Sequence, residues 1–538
     1  MINFNYRTES IRNSDILNYF VENSNDRKII DFFKSASPTI IEGSRGVGKS
    51  FLMQVAFAEL INDFQTNHIL PVYVTFRESS LLHSKRDSLQ FRHWMIAKII
   101  RETLKVVRKQ GIALTAFAST LLQNQNDDSD EDHIRVLNKI IRDYENSFNN
   151  PDKEIDIASI PNIDDLIEAF EEICENTPVE RVCIFFDEAA HMFRPNQQRE
   201  FFSLYRELRS PFVSCNAAVY PGVTHYGSSF EMTHDTTFRR LERDINDPDY
   251  LKTMTEMVFK QLSEPEKQKI ESQQALFNTL AFSSSGNPRM LFTTISNINK
   301  WNTTNINDAI KSFYRTEIWT EHTKLGEKYL GHKALVDWGR SFLEEIVIPE
   351  TMEKNQRRAA YNESTIYFRV HKDVPEFVKE SLRLLCYIGI IRKMDEGVKG
   401  SHSFIGTRYE IKYGCILSED ANPARYSPSL KEKLKLSLIS EYGVNNPAYK
   451  EIPDIDLKDI QDTDILNTLI IELDKPIDIL KLPHWQKSRL KTANITTIKS
   501  LLEKKEEDLR REIYMVGYVR ARRIFNAANA ELLEFLSG

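Results

Sequence analysis

The sequence predicts an α/β fold, a parallel sheet with helices on both faces, followed by a helical region, a helix-plus-hairpin module and a small all-α module. Three observations lead there. A glycine-rich loop near the N-terminus stands between a β-branched run and a helical pattern; further apolar runs follow at the spacing of α/β units; and after the fourth run helical patterning takes over.

The elements follow in chain order. A helical pattern over Arg27 to Ser35 leads into Thr39-Ile40-Ile41, whose branched side chains suit a strand, and a helix resumes from Lys49 to Asn62. Val72 to Phe76 reads as the second strand. Arg181 to Phe186 reads as the third, a continuous apolar run of the kind buried on both faces. Between them, residues 90–165 form a helical insertion, with helical patterning over Arg92 to Val107 and an exposed acidic tip over Asn124 to Asp132. Phe212 to Tyr220 is the fourth strand, and Pro221-Gly222 ends it. Thr236 to Ile245 and Leu251 to Lys311 read as mainly helical, so the sheet is expected to end before them. Farther on, a helix over Pro375 to Gly389 precedes two short strands, Ile390 to Arg392 and Tyr409 to Ile411, joined by a polar Gly-containing turn. That order is the order of a winged helix. Ser418 to Ser429, with Asn422-Pro423 and Ser427-Pro428, reads as a linker, and an acidic stretch over Asp454 to Asp464 precedes the last module.

With 538 residues the chain exceeds what one core supports, so several domains are expected. A hydrophobic fraction of 41% with 28% charged residues is ordinary for a globular protein and excludes fibrous and disordered classes. A net charge of −7 argues against a uniformly basic nucleic-acid coat and leaves room for a local patch. Cys174, Cys183, Cys215, Cys386 and Cys415 are scattered without a CxxC pair and read as reduced, buried thiols. No signal-peptide pattern and no membrane-length apolar run is present, so the expectation is a cytoplasmic protein without a membrane partner.

Gly43-Ser44-Arg45-Gly46-Val47-Gly48-Lys49-Ser50 matches G-x-x-x-x-G-K-[ST], the Walker A pattern, and continues into Phe51. Chemistry explains every fixed position. The glycines let backbone N–H groups turn inward, the following helix offers its positive end, Lys49 reaches the β- and γ-phosphates, and the Ser50 hydroxyl ligates Mg²⁺. Asp187 and Glu188 end the third strand, where a parallel sheet brings them beside that loop; Asp187 is the expected Mg²⁺ partner and Glu188 the base that orients the attacking water. A strand merely ending in polar residues would look similar, and Lys49 is what tips the reading. Asp187-Glu188-Ala189-Ala190-His191 is not a DEAH box, because the histidine falls one place late; His191 reads as a surface or cap residue. In Ser285-Gly286-Asn287-Pro288-Arg289, Asn287 suits a helix cap and Pro288 a first turn, which puts Arg289 at a helix start.

These motifs together resemble the AAA+ ATPases of the origin recognition complex and Cdc6 type, over roughly Tyr6 to Leu417, and more closely the bacterial ORC/Cdc6-like ATPases of mobile-element or defence settings. The resemblance implies a P-loop NTPase fold with a helical lid and a winged helix, ATP and Mg²⁺ as ligands, and a homo-oligomer formed with ATP. It further implies Arg289 as sensor 2, Arg239 or Arg240 as the arginine finger (Arg206 and Arg209 fit less well), and Asn216 or Thr224 as sensor 1. The expected domains are a nucleotide-binding core over 1–245, a lid over 246–335, a winged helix over 336–425, a linker with connecting helices over 426–474, and a terminal domain over 475–538.

That last segment resembles the C-terminal domain of the RNA polymerase α subunit and its helix-hairpin-helix relatives, through the apolar skeleton Leu480, Leu490, Ile495, Ile498, Leu501, Leu509 and Val516-Gly517. From Lys475 to Gly538 it holds 13 Lys and Arg against 8 Asp and Glu. A glycine before a helix leaves N–H groups free for phosphate, so Gly517 with Arg520, Arg522 and Arg523, extended by Arg489, is the expected double-stranded DNA contact. Arg392, Lys393, Lys399, His402 and Arg408 around the hairpin form a second basic candidate. The function expected is an ATPase that switches its hold on duplex DNA. The alternative is an ATPase switch that senses a protein trigger and activates an effector such as a nuclease or toxin.

Overall fold

The computed structural model describes residues 4–76, 88–115, 118, 130–145, 160–189, 195–227, 230–328, 330–399, 405–451 and 469–536. The acidic tip over 124–129, Ala190, His191, His402 and the acidic stretch over 454–464 lie outside the described residues. The chain divides into two compact units, Asn3–Glu264 with Gly286–Phe292, and Pro265–Ser285 with Thr293–Gly538.

Phe185 and Phe186, adjacent on one strand, show how the first unit is layered. Successive side chains of a strand point to opposite faces. Phe185 meets Phe33 and Phe57, from the helices Ser24–Lys34 and Lys49–Asn62, while Phe186 meets Phe201 and Tyr205 of the helix Pro195–Glu207. Burying each ring contributes on the order of 2–3 kcal/mol, and both are fully buried. The strand that carries them, β3 (Arg181–Asp187), is buried at every position. With β1 (Thr39–Glu42), β2 (Ile69–Thr75), β4 (Val213–Val219) and β5 (Thr237–Arg240) it forms a parallel sheet of five strands in the order β2-β3-β4-β1-β5. Between β2 and β3 lie the helices Ser88–Gln110 and Asp130–Glu145.

One expectation fails here. Thr236 to Ile245 is not helical: Thr237 to Arg240 pairs with β1 as the edge strand and Leu241 donates its N–H to Glu42 O, so pairing with β1 rather than local periodicity sets these residues.

In the second unit β6 (Tyr367–His371), the helix Glu376–Ile388, β7 (Ile391–Lys399) and β8 (Ile405–Ile411) follow one another, and β7 and β8 make the expected antiparallel hairpin. The region read as a linker is structured. Asn422 caps the helix Pro423–Glu432, with Pro423 in the first turn where its missing N–H costs nothing, and β9 (Ser440–Tyr442) then adds to β6 in a sheet ordered β7-β8-β6-β9. The terminal module packs the helices His484–Thr492, Ile498–Leu502, Glu506–Glu512 and Tyr518–Leu536 around Leu480, Leu490, Ile495, Ile498, Leu501, Leu509, Val516 and Ile524. All five cysteines are free thiols, none joined in a disulfide, and four of them are buried. Among the described residues no helix is long and apolar enough to cross a membrane.

Candidate functional site

β1 ends at Glu42, and the loop that follows turns back into the helix Lys49–Asn62. Gly46 (φ 87°) and Gly48 (φ 106°) occupy left-handed backbone that other residues rarely adopt. Gly46 is also confined by space, since a Cβ there would lie 2.8 Å from the Cβ of Arg289. Gly48 caps the helix, so the first N–H groups of Lys49–Asn62 face the loop.

Parallel pairing places the acids. Register sets Thr75 opposite Asp187 at the C-terminal end of the sheet, and there Ser50 Oγ donates to Asp187 Oδ1 at 3.0 Å while the Tyr73 hydroxyl donates to Oδ2 at 2.8 Å. Burial raises the Asp187 carboxyl above its ordinary range, and the neighbouring Glu188 raises it further. Glu188 has φ 67°, a left-handed conformation that costs a non-glycine residue about 1 kcal/mol, and its N–H donates to Asp187 Oδ1 at 3.0 Å. Lys49 is buried; its Nζ donates to Gly43 O at 2.6 Å and Ser44 O at 3.2 Å and lies 3.6 Å from the centre of the Tyr220 ring. Burial pushes this ammonium down to about 7, against the pull of Asp187 and Glu188.

Asn287 and Arg289 join the same cluster. Asn287 Oδ1 accepts from Met290 N at 3.2 Å, the expected cap of the helix Pro288–Ser296, and its amide donates to Arg45 O at 2.8 Å. Arg289 N donates to Gly46 O at 3.4 Å. Arg243 ties the cluster together: one guanidinium nitrogen donates to Val47 O at 2.8 Å and another pairs with buried Asp26 at 2.7 Å. A cleft opens beside the loop, walled by Tyr19, Phe20, Val21, Phe51, Arg289 and Phe292. Apolar walls with a few polar groups suit a flat heterocycle attached to phosphates.

The expected site residues separate into groups. Gly43 through Phe51, Asp187, Glu188 and Arg289 come together. Asn216 does not: it pairs with Thr39 at the start of β1, the end away from the loop, and donates to Phe33 O at 3.0 Å. Thr224 donates to Tyr220 O at 2.8 Å. Arg240 lies on the edge strand β5, 3.2 Å from Glu42, and Arg239 stacks on Phe32. Tyr73, Tyr220, Arg243 and Asp26 carry no motif; only their places at strand ends or beside the loop mark them.

The basic candidates are differently placed. Arg392 pairs with Glu410, Lys393 with Glu396 and Arg408 with Asp395, so these hairpin cations are matched by acids of the same two strands. The side chain of Lys399 lies outside the described residues. In the terminal module Arg523 pairs with Asp373 at 2.9 Å and Arg522 with Glu506. Arg520 lies over exposed Trp485 at 5.0 Å and Arg489 over exposed Tyr514 at 5.6 Å. Gly517 directly precedes the helix Tyr518–Leu536 and accepts the N–H of Ala521, as a helix-capping residue does.

A glycine-rich loop at the head of a parallel sheet ordered β2-β3-β4-β1-β5, with an acid pair on the adjacent strand and an arginine on a later helix start, defines the AAA+ class of P-loop folds. A family model described as ORC-CDC6-like matches residues 2–363, about two thirds of the length, and the chain belongs to this family. No curated protein matches it. Among solved structures it is similar to the Walker-type ATPase PABY2304 of Pyrococcus abyssi, at 14% identity and TM-score 0.37, covering 79% of this chain and 97% of that one. It is also similar to the Aeropyrum pernix Orc1 protein solved in complex with DNA, at 13% identity and TM-score 0.32, covering 75% and 93%. Likenesses that distant carry neither fold nor function across.

Proposed function

We propose that the chain binds ATP with Mg²⁺ at the loop Gly43–Ser50, hydrolyses it, and uses the nucleotide state to switch its hold on duplex DNA or on a partner protein. What supports this most is the meeting of Ser50 Oγ and Asp187 Oδ1 at 3.0 Å, from residues 137 apart, beside buried Lys49. A hydroxyl and a carboxylate at that spacing, beside the helix start that Gly48 caps, fit a hard divalent cation and a triphosphate. Ser50 and Asp187 would hold the ion, whose chemistry when bound is to neutralise phosphate charge. Lys49 exchanges the carbonyls of Gly43 and Ser44 for phosphate oxygens. Glu188, re-aimed by its left-handed backbone, orients a water and accepts its proton. Arg289 neutralises the outermost phosphate, and the cleft lined by Phe20 and Phe51 takes the base. Arg240, on the sheet edge, is the arginine offered to the site of a neighbouring copy in an ATP-dependent homo-oligomer.

For DNA, the candidates are Arg489 and Arg520 with the helix start after Gly517: both rest on aromatic rings and Arg520 donates to Met515 O at 2.7 Å, whereas Arg522 and Arg523 are held by the acids Glu506 and Asp373. The hairpin's self-matched cations favour a second reading, in which the ATPase senses a protein trigger and acts on an effector such as a nuclease or toxin. Two measurements test these proposals. Lys49→Ala is expected to abolish ATP binding and Glu188→Gln to retain binding while turnover falls at least about a hundredfold; undiminished turnover in both sinks the site. A mobility shift of the Glu188→Gln protein on duplex DNA, with and without ATP, decides between the two outputs, because the protein-sensing reading predicts no nucleotide-dependent band.

A further inference from the structure

Lys49 carries its charge where water barely reaches. It is 5% exposed, and burying an ammonium is costly unless each face of it is compensated. Two carbonyls, of Gly43 and Ser44, take two of its directions. On another side stands the ring of Tyr220, its centre 3.6 Å from Nζ. Tyr220 directly follows β4 and is 8% exposed. Its main chain is tied by Thr224, whose hydroxyl donates to Tyr220 O at 2.8 Å and accepts from Tyr220 N at 3.3 Å. The residue's backbone is therefore anchored on both sides of the ring.

We propose that Tyr220 is a positioning residue for Lys49: the face of its ring holds the ammonium at the loop without competing with phosphate for hydrogen bonds. The proposal rests on the nucleotide-site reading above. A carbonyl or carboxylate also holds an ammonium, but it is an acceptor that phosphate must displace. A π face attracts the charge through its quadrupole and occupies no strong acceptor position. Nζ can then leave Gly43 and Ser44 for phosphate oxygens and stay over the ring throughout. Asp187, Glu188 and Glu42 also attract this charge and Arg289 repels it, so only a change confined to the ring isolates the contribution of Tyr220.

The test is equilibrium titration of the full-length protein with a fluorescent ATP analogue, in EDTA and in Mg²⁺, alongside steady-state turnover. Tyr220→Phe keeps the ring and is expected to bind within about twofold of the natural protein. Pentafluorophenylalanine at position 220 has nearly the same shape with its quadrupole reversed, and is expected to bind about tenfold more weakly; Tyr220→Leu loses at least as much. Because the ring acts equally before and during the reaction, KM rises and kcat holds. Undiminished binding by the pentafluoro ring overturns the proposal. Equal loss in Tyr220→Phe and Tyr220→Leu overturns it too, since the hydroxyl would then be the operative group. Lys49→Ala is the reference: tight binding by that variant overturns the nucleotide-site reading itself, a result the Tyr220 variants alone do not produce.

Discussion

Charges at the P-loop and charges in the terminal module sit under opposite kinds of stress. At the loop, burial pushes the Lys49 ammonium down to about 7 and holds the Asp187 carboxyl up, with Glu188 adding to it. In the second unit, burial works against the Asp373 carboxylate, but the hydrogen bond and charge of Arg523, with Lys372 and His371, together hold it low; hydrogen bonds from Lys491 and Lys504 lower Asp478 and Glu512. The first group is left electrostatically short by the protein alone, which is the condition a charged ligand relieves. The second group is satisfied internally. Basic content alone therefore does not mark an interface, and the local excess of cations overstates how many are free for DNA.

The largest effect that tests this contrast is a pH dependence. Between about 7 and the ordinary lysine value of 10.5, the unfolded chain binds a proton at Lys49 that the nucleotide-free fold has released. Stability then rises with pH across that window, by at most about 1.4 kcal/mol per pH unit. Urea unfolding at pH 7 and pH 9 should show the natural protein gaining roughly 2 kcal/mol relative to Lys49→Met, which lacks the group. An unchanging difference between the two proteins would mean that the ammonium is fully compensated without ligand, and the contrast with the terminal module would collapse.

A second expectation concerns DNA. Arg489 and Arg520 rest on aromatic rings, Arg520 also donating to Met515 O, and if these are the cations that meet phosphate, replacing either with Ala should weaken duplex binding about three- to tenfold and lower the salt slope by about 1. Arg523→Ala should leave that slope unchanged. Equal slopes for all three variants would restore the simpler reading from local charge.

How much was legible in the sequence follows the same division. Residues bound by local rules were readable: Gly46 and Gly48 by their backbone demand, Lys49 and Ser50 by their spacing from them, Asn287 by its capping chemistry, and the buried skeleton from Leu480 to Val516 by its periodicity. Asp187 was readable because a strand buried on both faces has a distinctive run of residues. Pairing between distant segments was not readable. β5 looked helical because four residues with two arginines lack a strand's signature until β1 lies beside them, and β9 is only three residues long. Asn422-Pro423 signalled a loop by composition, although the same pair starts a helix. Tyr73, Tyr220 and Arg243 reach the site only through the sheet and the loop. Arg523 is the converse case, a cation beside a hairpin glycine whose acid partner lies 150 residues earlier.

That pair gives the smallest expected effect and the finest test of the comparison. Arg523 meets both carboxylate oxygens of Asp373, at 2.9 and 3.3 Å, and one helical turn on, Asn526 donates to Val374 O at 2.9 Å and accepts from Glu376 N at 3.0 Å. The arginine is half exposed, so solvent screens the pair and a two-pronged contact of this kind contributes about 0.5–1 kcal/mol. Asn526 is buried, and its loss strands two main-chain groups near the start of the helix Glu376–Ile388. A double-mutant cycle with Arg523→Ala and Asp373→Ala, read by urea unfolding, should give a coupling energy within that range, and Asn526→Ala should destabilise the protein more than either. Zero coupling with a lowered DNA salt slope in Arg523→Ala would show the reverse of what is expected: an arginine whose real partner is phosphate, with Asp373 holding it only until DNA arrives.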